Sequence, residues 1–324
     1  MTLETLTATA RSRGNFYSID RYLAFAHEYL QIIENPDNYE EKVLASNRPE
    51  YFFIRYSSDA NDQRITRAIN GSLWMTAAEF EAGIPHFKAV LSDLARRVPP
   101  NPQHRQLLIR MIYTTQQSVG AVLDSLRAGE SNTARKLVGE IFEQFMRKLI
   151  EAAGVTCESG SFATPVIENG EVAFKAKYQH DLLLKLGDDL KVIGSVKTTS
   201  KDRIDKIFID KFMYSRLTET DTPHIAVFLN DVQRGKLVPG VGGAPDRYRV
   251  ESTFLIGKFK AYSSRLNPLD GVYYCDVGLN MISDPVVAAR IKGIDVLFYD
   301  DLYQMILTAP AVPVVEDTGV EGAE

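Results

Sequence analysis

The sequence predicts an α/β fold that follows an α-helical N-terminal domain, and three observations support this prediction. From residue 174 onward, short β-branched and apolar runs alternate with stretches of helical periodicity. The strand, helix, strand order over residues 191–230 implies a parallel crossover connection. Before residue 129, apolar residues recur mostly at the spacing of amphipathic helices. We therefore expect a helical domain over residues 1–128, an α/β domain over 129–308 and a disordered acidic tail over 309–324.

The N-terminal domain is predicted to contain four helices joined by polar or proline-containing connections. Thr76-x-x-Glu79 has the pattern of a capping box, which fixes the start of one of them. The aromatic run from Tyr51 to Tyr56 forms a short element whose type the pattern leaves open. The four predicted helices span residues 19–34, 58–68, 77–97 and 103–127.

The second half of the chain opens with a helix that Ser131, Asn132 or Thr133 caps and that ends before Gly154. Residues 232–247 are rich in glycine and proline and predict a loop. Short apolar runs predict strands over residues 174–177, 182–186, 192–196, 225–229, 272–274 and 296–299. Helical periodicity predicts helices over residues 201–217, 252–263 and 299–307.

Bulk composition is that of a globular protein, with 45% hydrophobic and 24% charged residues among 324. No apolar run approaches the roughly 18 residues that a membrane-spanning helix requires. The stretch from Met1 to Arg13 is polar and lacks the apolar segment of a signal peptide, so we expect a cytoplasmic protein. Cys157 and Cys275 do not have the spacing of a zinc site or of a disulfide framework.

The charge distribution favours a confined contact with a polyanion. The net charge of -5 and the pI near 5.7 argue against nucleic-acid binding by the whole surface. Between Lys191 and Arg216, however, five lysines and two arginines stand against three aspartates. A basic patch on an acidic protein is typical of a local, specific contact with phosphate or DNA.

Asp181 and Lys197 are the first candidate catalytic residues. Asp181 begins one predicted strand, and a tight turn returns the chain through the next strand to Lys197, so a hairpin brings both to one sheet end. Phosphodiester hydrolysis with Mg²⁺ uses carboxylates that bind the cation and a lysine that offsets phosphate charge. Nucleases of this kind commonly have an acid two residues before the lysine, and here that residue is Ser195.

The missing carboxylate therefore has to come from another element. Asp210, on the helix after Lys197, is the best donor, and Glu143 or Glu140 on the preceding helix offers another. The alternative interpretation is that these residues are strand-end charges without a catalytic role.

The run Lys197-Thr-Thr-Ser-Lys-Asp-Arg203, followed by Asp210, resembles the core motif of the CCGG family of type II restriction endonucleases in the PD-(D/E)xK superfamily. It is most similar to the branch that contains EcoRII, SsoII and PspGI, and the resemblance covers residues 132–211. In that branch a small residue replaces the second-strand acid and a glutamate on the next helix takes over. Here Asp210 has a shorter side chain than that glutamate, and His180-Asp181 replaces the frequent Pro-Asp.

The resemblance implies a restriction-endonuclease-like core, with a central mixed sheet flanked by helices, and it implies roles for individual residues. Asp181, Asp210 and Glu143 would bind Mg²⁺ beside Lys197. In the major groove, the residues of the next turn would read bases, with cationic donors to guanine and a carboxylate acceptor for cytosine. These base-reading residues are Lys201, Asp202 and Arg203.

Two of these assignments keep alternatives. Lys201, Asp202 and Arg203 are also typical of ordinary charge at a helix N-terminus, where Asp202 would complement the helix dipole. Asn132 and Arg135 begin the helix that the family places near the minor groove, but Asn132 also suits an N-cap.

The function implied by the resemblance is Mg²⁺-dependent cleavage of double-stranded DNA at a short palindrome containing CC and GG. A palindrome has two equivalent half-sites, so we expect a homodimer, with a cognate methyltransferase as genetic partner. An interrupted site with outer base pairs, such as T-CCNGG-A, is the specific expectation. Trp74 or Phe80 would then receive a flipped base, with core packing as the alternative. The competing functions are a repair or recombination nuclease and a non-catalytic DNA-binding regulator.

Overall fold

The computed structural model describes residues 2–59, 62–169, 171–239 and 247–310, without the side chains of residues 128 and 161–165. The predicted acidic tail lies outside the described residues from 311 onward. Among the described residues, no helix has both the length and the apolar character needed to cross a membrane.

The N-terminal part combines helices with a small antiparallel sheet. Its helices are α1 (Leu3–Ala10), α2 (Ile19–Glu34), α3 (Ala77–Ala95) and α4 (Pro102–Leu123). Its strands are β1 (Glu41–Leu44), β2 (Tyr51–Ser57), β3 (Arg64–Ile65) and β4 (Ile69–Asn70), and β1, β3 and β4 all pair with β2.

The predicted helix over residues 58–68 is wrong, because the backbone there pairs with β2 instead. Thr66 donates its N–H to the Ile54 carbonyl at 3.0 Å, and its hydroxyl accepts from the Ile54 N–H at 3.0 Å. The capping box at Thr76 and Glu79 is confirmed: each side chain accepts the backbone N–H of the other residue.

The long helix α5 (Ser131–Ala152) leads from the N-terminal part into a six-stranded mixed sheet. The helix begins after Glu130, and no side chain caps it, so Asn132 is not the predicted N-cap. The sheet consists of β5 (Thr156–Glu168), β6 (Glu171–Leu186), β7 (Asp189–Lys197), β8 (His224–Phe228), β11 (Gly271–Tyr274) and β12 (Ile291–Gly293).

Strand order in the sheet is β12-β11-β8-β7-β6-β5. The strands β5, β6 and β7 form an antiparallel meander, whereas β7, β8, β11 and β12 are parallel. Helix α6 (Ile204–Thr218) makes the predicted crossover from β7 to β8. The carboxyl ends of β7, β8 and β11 therefore meet at one edge of the sheet.

Two predictions after residue 230 are wrong. Much of the predicted loop over residues 232–247 is strand β9 (Val232–Val238), which pairs with β10 (Arg247–Ser252), whereas residues 240–246 lie outside the described residues. The predicted strand over residues 296–299 is helical. The short apolar run there belongs to a helical stripe of buried side chains, Ile294, Leu297, Phe298, Leu302 and Ile306, and short runs do not distinguish strand from buried helix.

The remaining helices cover the sheet on the side of α6 or close the chain. They are α7 (Ile256–Arg265), α8 (Leu279–Ile282), α9 (Pro285–Ala288), α10 (Ile294–Val296) and α11 (Leu302–Thr308), the last two joined by a π-helical turn.

The central strands β7, β8 and β11 are buried on both faces, as predicted for a mixed sheet flanked by helices, whereas the first half of β6 is largely exposed. On one face, Val196 and Val227 join the largest hydrophobic cluster, which includes Phe145 of α5. On the other face, Phe228 packs in a second cluster with Phe208 of α6. The largest cluster combines side chains from before and after residue 129, and the division into two domains stays a prediction.

Candidate active site

Lys197 lies at the carboxyl end of β7 and binds two carboxylates. Its Nζ donates to Asp181 Oδ2 at 2.6 Å and to Glu143 Oε1 at 2.8 Å. Asp181 reaches this position because β6 pairs antiparallel with β7, with Leu182 opposite Gly194. The β7 backbone also holds Asp181, whose Oδ2 accepts the Val196 N–H at 2.8 Å. The structure thus brings together three of the four predicted catalytic side chains.

Asp210 lies two turns into α6, and its side chain makes no hydrogen bond or ion pair with the residues that the structure describes. Burial raises the pKa of its half-buried carboxyl, and the negative charge of Asp181 raises it further. Lys206 and Lys197 oppose this rise, which means that Asp210 lies within electrostatic reach of both Asp181 and Lys197.

Burial and neighbouring charges also shift the pKa values of Glu143 and Lys197. Burial and the charge of Asp181 raise the pKa of the Glu143 carboxyl, against the opposing effect of Lys197. Burial alone would lower the pKa of the Lys197 ammonium, but Asp181 and Glu143 outweigh it and raise that pKa above its ordinary value. The site therefore contains a charged lysine among converging carboxylates.

The donor chemistry of this site fits Mg²⁺, which prefers carboxylate oxygens. In the described part of the chain, no three acidic, histidine or cysteine side chains are close enough to form a ready-made metal cluster. Instead the Lys197 ammonium bonds to both Asp181 and Glu143. The raised pKa values of Glu143 and Asp210, both partly caused by Asp181, show like charges that a divalent cation would offset.

Beyond Lys197 the chain forms an exposed turn rather than the first turn of α6. Asp202 has a φ of +56°, in the left-handed region that non-glycine residues seldom adopt. Because α6 begins at Ile204, Asp202 precedes the helix, and its charge is not part of the first helical turn. Lys201 donates from Nζ to Gln233 Oε1 on β9 at 3.1 Å. We call residues Lys201, Asp202 and Arg203 the reading turn.

Asp231 anchors the segment that supports the reading turn, and the sequence analysis missed it. Its buried carboxylate accepts from Thr199 Oγ1 at 2.6 Å, from the Ser200 N–H at 2.7 Å and from the Ser200 hydroxyl. It also accepts from Tyr274 OH at 2.7 Å and from Thr253 Oγ1 at 3.0 Å. The available signal was its position three residues after the buried strand β8, at the sheet edge where Lys197 ends β7.

The other predicted contacts lie farther away or in the core. Asn132 and Arg135 are exposed at the start of α5, where Arg135 Nη1 donates to Asn132 Oδ1 at 3.3 Å. Asn132 is eleven residues, or roughly 16 Å, from Glu143 along the helix axis. Phe80 is completely buried, and Trp74 packs edge-on against Tyr29 and Phe52, so both aromatic side chains pack in the core. Glu140 pairs with Lys136 at 3.8 Å.

No protein-family model and no curated protein sequence matches this chain. Among solved structures, the type IIP restriction endonuclease Kpn2I aligns with 94% of this chain and 97% of its own, with a TM-score of 0.65 and 16% sequence identity. The restriction endonuclease PspGI in complex with substrate DNA aligns with 70% of this chain and 91% of its own, with a TM-score of 0.40 and 13% identity. The likeness to Kpn2I shows that the chain has a restriction-endonuclease fold over nearly its whole length.

Proposed function

We propose that the chain is a Mg²⁺-dependent type II restriction endonuclease, which hydrolyses double-stranded DNA at a short palindrome containing CC and GG. The observation that carries this proposal is the convergence of Asp181 and Glu143 on Lys197, at the sheet end of a restriction-endonuclease fold. The adjacent reading turn supports a sequence-specific rather than a structure-specific nuclease.

In this proposal, Lys197 acts on the scissile phosphate. Asp181, Asp210 and Glu143 would hold Mg²⁺, which supplies Lewis acidity at the phosphodiester. The Lys197 ammonium donates a hydrogen bond to a phosphoryl oxygen and offsets the negative charge that grows there during water attack. The Val196 N–H keeps Asp181 oriented toward the strand end. A preorganised donor of this kind requires little rearrangement when DNA enters.

The reading turn would contact base edges in the major groove. Lys201 and Arg203 are cationic donors that suit guanine O6 and N7, and Asp202 is an acceptor that suits the cytosine amino group. All three side chains are exposed, and the left-handed conformation of Asp202 brings them together outside the helix. Such backbone strain is common where a side chain must be presented to a ligand.

The proposal includes the assembly and the biological context. A homodimer would place one active site on each strand of the palindrome. Asn132 and Arg135 would contact DNA from the start of α5, and a cognate methyltransferase would protect host sites. An interrupted CCNGG site with outer base pairs, such as T-CCNGG-A, is the specificity we expect.

Digestion of a sequenced plasmid by the purified protein tests the proposal. With Mg²⁺ we expect discrete fragments whose sequenced ends share one CC/GG palindrome, and no cleavage when the metal is chelated. Fragments without a common sequence would instead support a repair or recombination nuclease. DNA that stays intact with Mg²⁺, Mn²⁺ and other divalent cations would leave only a non-catalytic DNA-binding role.

A further inference from the structure

The hairpin formed by β9 and β10 presents one buried and one exposed face. Tyr248 and Val250 point inward, into a hydrophobic cluster that they share with the small N-terminal sheet. Because side chains alternate along a strand, Arg247 and Arg249 point to the opposite side, and both are exposed. We call this exposed side the ribbon face.

A bulge adds a third cation to the ribbon face. The register pairs Tyr248 with Leu237 and Val250 with Arg234, so Arg249 alone faces Gly235 and Lys236. A bulge of this kind turns both residues of the longer strand toward one side. Lys236 is exposed and therefore lies beside Arg249 on the ribbon face.

These three cations are close together on one face of the hairpin. Lys236, Arg247 and Arg249 make no ion pair or side-chain hydrogen bond within the described ranges of the chain. Glu251, at the base of the ribbon face, is engaged by Gln233 at 3.5 Å. The Glu251 carboxylate lies over Gly235 on the same face, so three cations stand against one acid there. On a protein of net charge -5, this local excess of positive charge marks a surface suited to an external polyanion.

The ribbon face is continuous with the reading turn. Lys201 of the turn donates to Gln233, and Gln233 pairs with Glu251 across the ribbon. Arg249 and Arg247 follow Glu251 at two-residue intervals, each about 7 Å further along the strand. At the base of the ribbon, Asp231 binds both Thr253, next to β10, and the segment before the turn. These hydrogen bonds fix the position of the ribbon face relative to the reading turn.

We propose that the ribbon face binds the sugar–phosphate backbone of duplex DNA beside the bases that the reading turn contacts. This inference rests on the proposed function, because it assumes that DNA is the ligand. Guanidinium groups suit phosphate oxygens through paired hydrogen bonds, and the spacing of Arg247 and Arg249 lets them engage separate phosphates.

Salt-dependent binding tests the proposal. Binding of a duplex containing the cleavage site is measured by fluorescence anisotropy without divalent metal, over a series of KCl concentrations. Each phosphate contact contributes about 0.9 to the slope of log affinity against log salt. In the proposed homodimer, Arg247→Ala/Arg249→Ala removes four phosphate contacts, so we expect the slope to fall by about 3.6 and the affinity at 0.1 M salt to fall at least about tenfold. Arg247→Lys/Arg249→Lys should restore most of the slope.

The matched control is Arg265→Ala/Arg290→Ala, which removes the same charge. Both arginines are exposed: Arg265 ends α7, six residues before β11, and Arg290 immediately precedes β12. They therefore precede parallel strands, whereas Lys197 lies at the carboxyl end of β7. Their replacement should leave the slope unchanged, and circular dichroism should show that both double variants fold.

The outcomes separate this inference from the proposed function. A wild-type protein that neither binds nor cuts DNA overturns both. A wild-type protein that cuts DNA, with an Arg247→Ala/Arg249→Ala variant of unchanged slope, overturns only the ribbon contact. If that variant keeps the slope but changes its oligomeric state in sedimentation, the ribbon face joins copies of the chain, which also overturns the contact with DNA.

Discussion

At the scale of single residues, Lys197 is the side chain on which the proposed chemistry depends. Replacing Lys197 with Ala removes the cation that bonds to Asp181 and Glu143 and that would stabilise the phosphate. We expect cleavage to fall by at least about 100-fold, the typical effect of losing one preorganised donor. Binding of the same duplex without metal should change by only a few-fold.

Lys292→Ala is the control for this change. Lys292 is also a half-buried lysine on a strand of the sheet, where it pairs with Asp301 at 2.6 Å, but it lies on the edge strand β12. Its replacement should leave cleavage intact. Wild-type cleavage by the Lys197→Ala variant would refute the role given to Lys197.

Asp210 is expected to supply the carboxylate that Ser195 does not provide. Asp210→Asn should reduce cleavage at least about tenfold at limiting Mg²⁺, because it removes one anionic oxygen ligand. Part of the loss should be recovered at higher Mg²⁺ concentration. Glu140→Gln, which only disturbs the pair with Lys136, should have little effect. The reverse ranking in a Mg²⁺ titration would assign the missing acid to Glu140.

Asp231 is predicted to position the reading turn without touching DNA. The Asp231 carboxylate accepts five hydrogen bonds through its two oxygens. In Asp231→Asn an NH₂ group, which is a donor, replaces one of these oxygens, so several buried donors lose their acceptor. We expect a loss of about 1–3 kcal/mol in the free energy of unfolding. We also expect weaker discrimination between the cleavage site and sites that differ by one base pair.

Asp276→Asn separates positioning from stability. Asp276 is another buried carboxylate after a parallel strand, and it accepts from Tyr51 OH at 2.8 Å and Asn70 Nδ2 at 2.9 Å, away from the reading turn. It should also destabilise the protein but leave the ratio of cleavage rates at the two kinds of site unchanged. Equal selectivity of the two variants would contradict a positioning role for Asp231.

At the scale of elements, β7 carries Lys197, and side chains of the two neighbouring strands pack tightly against Gly194 in the middle of β7. A Cβ at Gly194 would lie 2.9 Å from Leu182 Cδ1 and 3.1 Å from Ile225 Cγ1. Gly194→Ala should therefore lower the free energy of unfolding by about 1–3 kcal/mol, as overpacked cores usually do. Denaturation in urea measures this change.

Gly257→Ala provides the contrast. A Cβ at Gly257 would meet no atom within 4 Å, and the residue lies in α7. Alanine there should stabilise the protein by up to about 1 kcal/mol, since glycine is unfavourable in helices. A Gly194→Ala variant as stable as the wild type would show that the sheet can open around this position.

Elements with strong local signals were predictable from the sequence. Helices α2, α3 and α5 and the hairpin of β6 and β7 follow from periodicity, and the start of α3 also follows from its capping box. Both signals depend on neighbours in the chain. The strands β1, β3 and β4 were not predictable, because two- to four-residue strands form only against β2. The prediction of a strand over residues 296–299 was wrong for a different reason. That segment is buried, so it lacks the polar face that distinguishes a helix from a strand in the sequence.

The residues of the candidate site also differ in whether a local sequence pattern predicts their contacts. Asp181 and Lys197 meet because a hairpin connects them, and the sequence shows that hairpin. Asp231 joins segments that are 31 to 43 residues apart through the Ser200 and Tyr274 hydrogen bonds, and no local pattern predicts such a contact. The exposed turn at Asp202 was likewise read as helix, because its left-handed backbone has no sequence signature there.

At the scale of the whole molecule, the proposed palindrome requires two active sites. Each subunit of a homodimer contributes one Lys197, and each site would cut one strand. A dimer of one wild-type subunit and one Lys197→Ala subunit, purified through two different tags, should therefore convert supercoiled plasmid to the nicked circle. Linear product should form at least about 100-fold more slowly than with the wild type, because the second cut needs the missing ammonium.

The tagged wild-type and Lys197→Ala homodimers are the controls for this prediction. The first should linearise the plasmid and the second should leave it supercoiled, so tags alone cannot produce the nicked circle. Sequencing of the nick should place it at the palindrome. The nick should occur on either strand, because the two half-sites are identical and the mixed dimer can bind them in two orientations. Rapid linearisation by the mixed dimer would mean that one site cuts both strands. A chain that sediments as a monomer on its cleavage duplex would exclude the symmetric arrangement altogether.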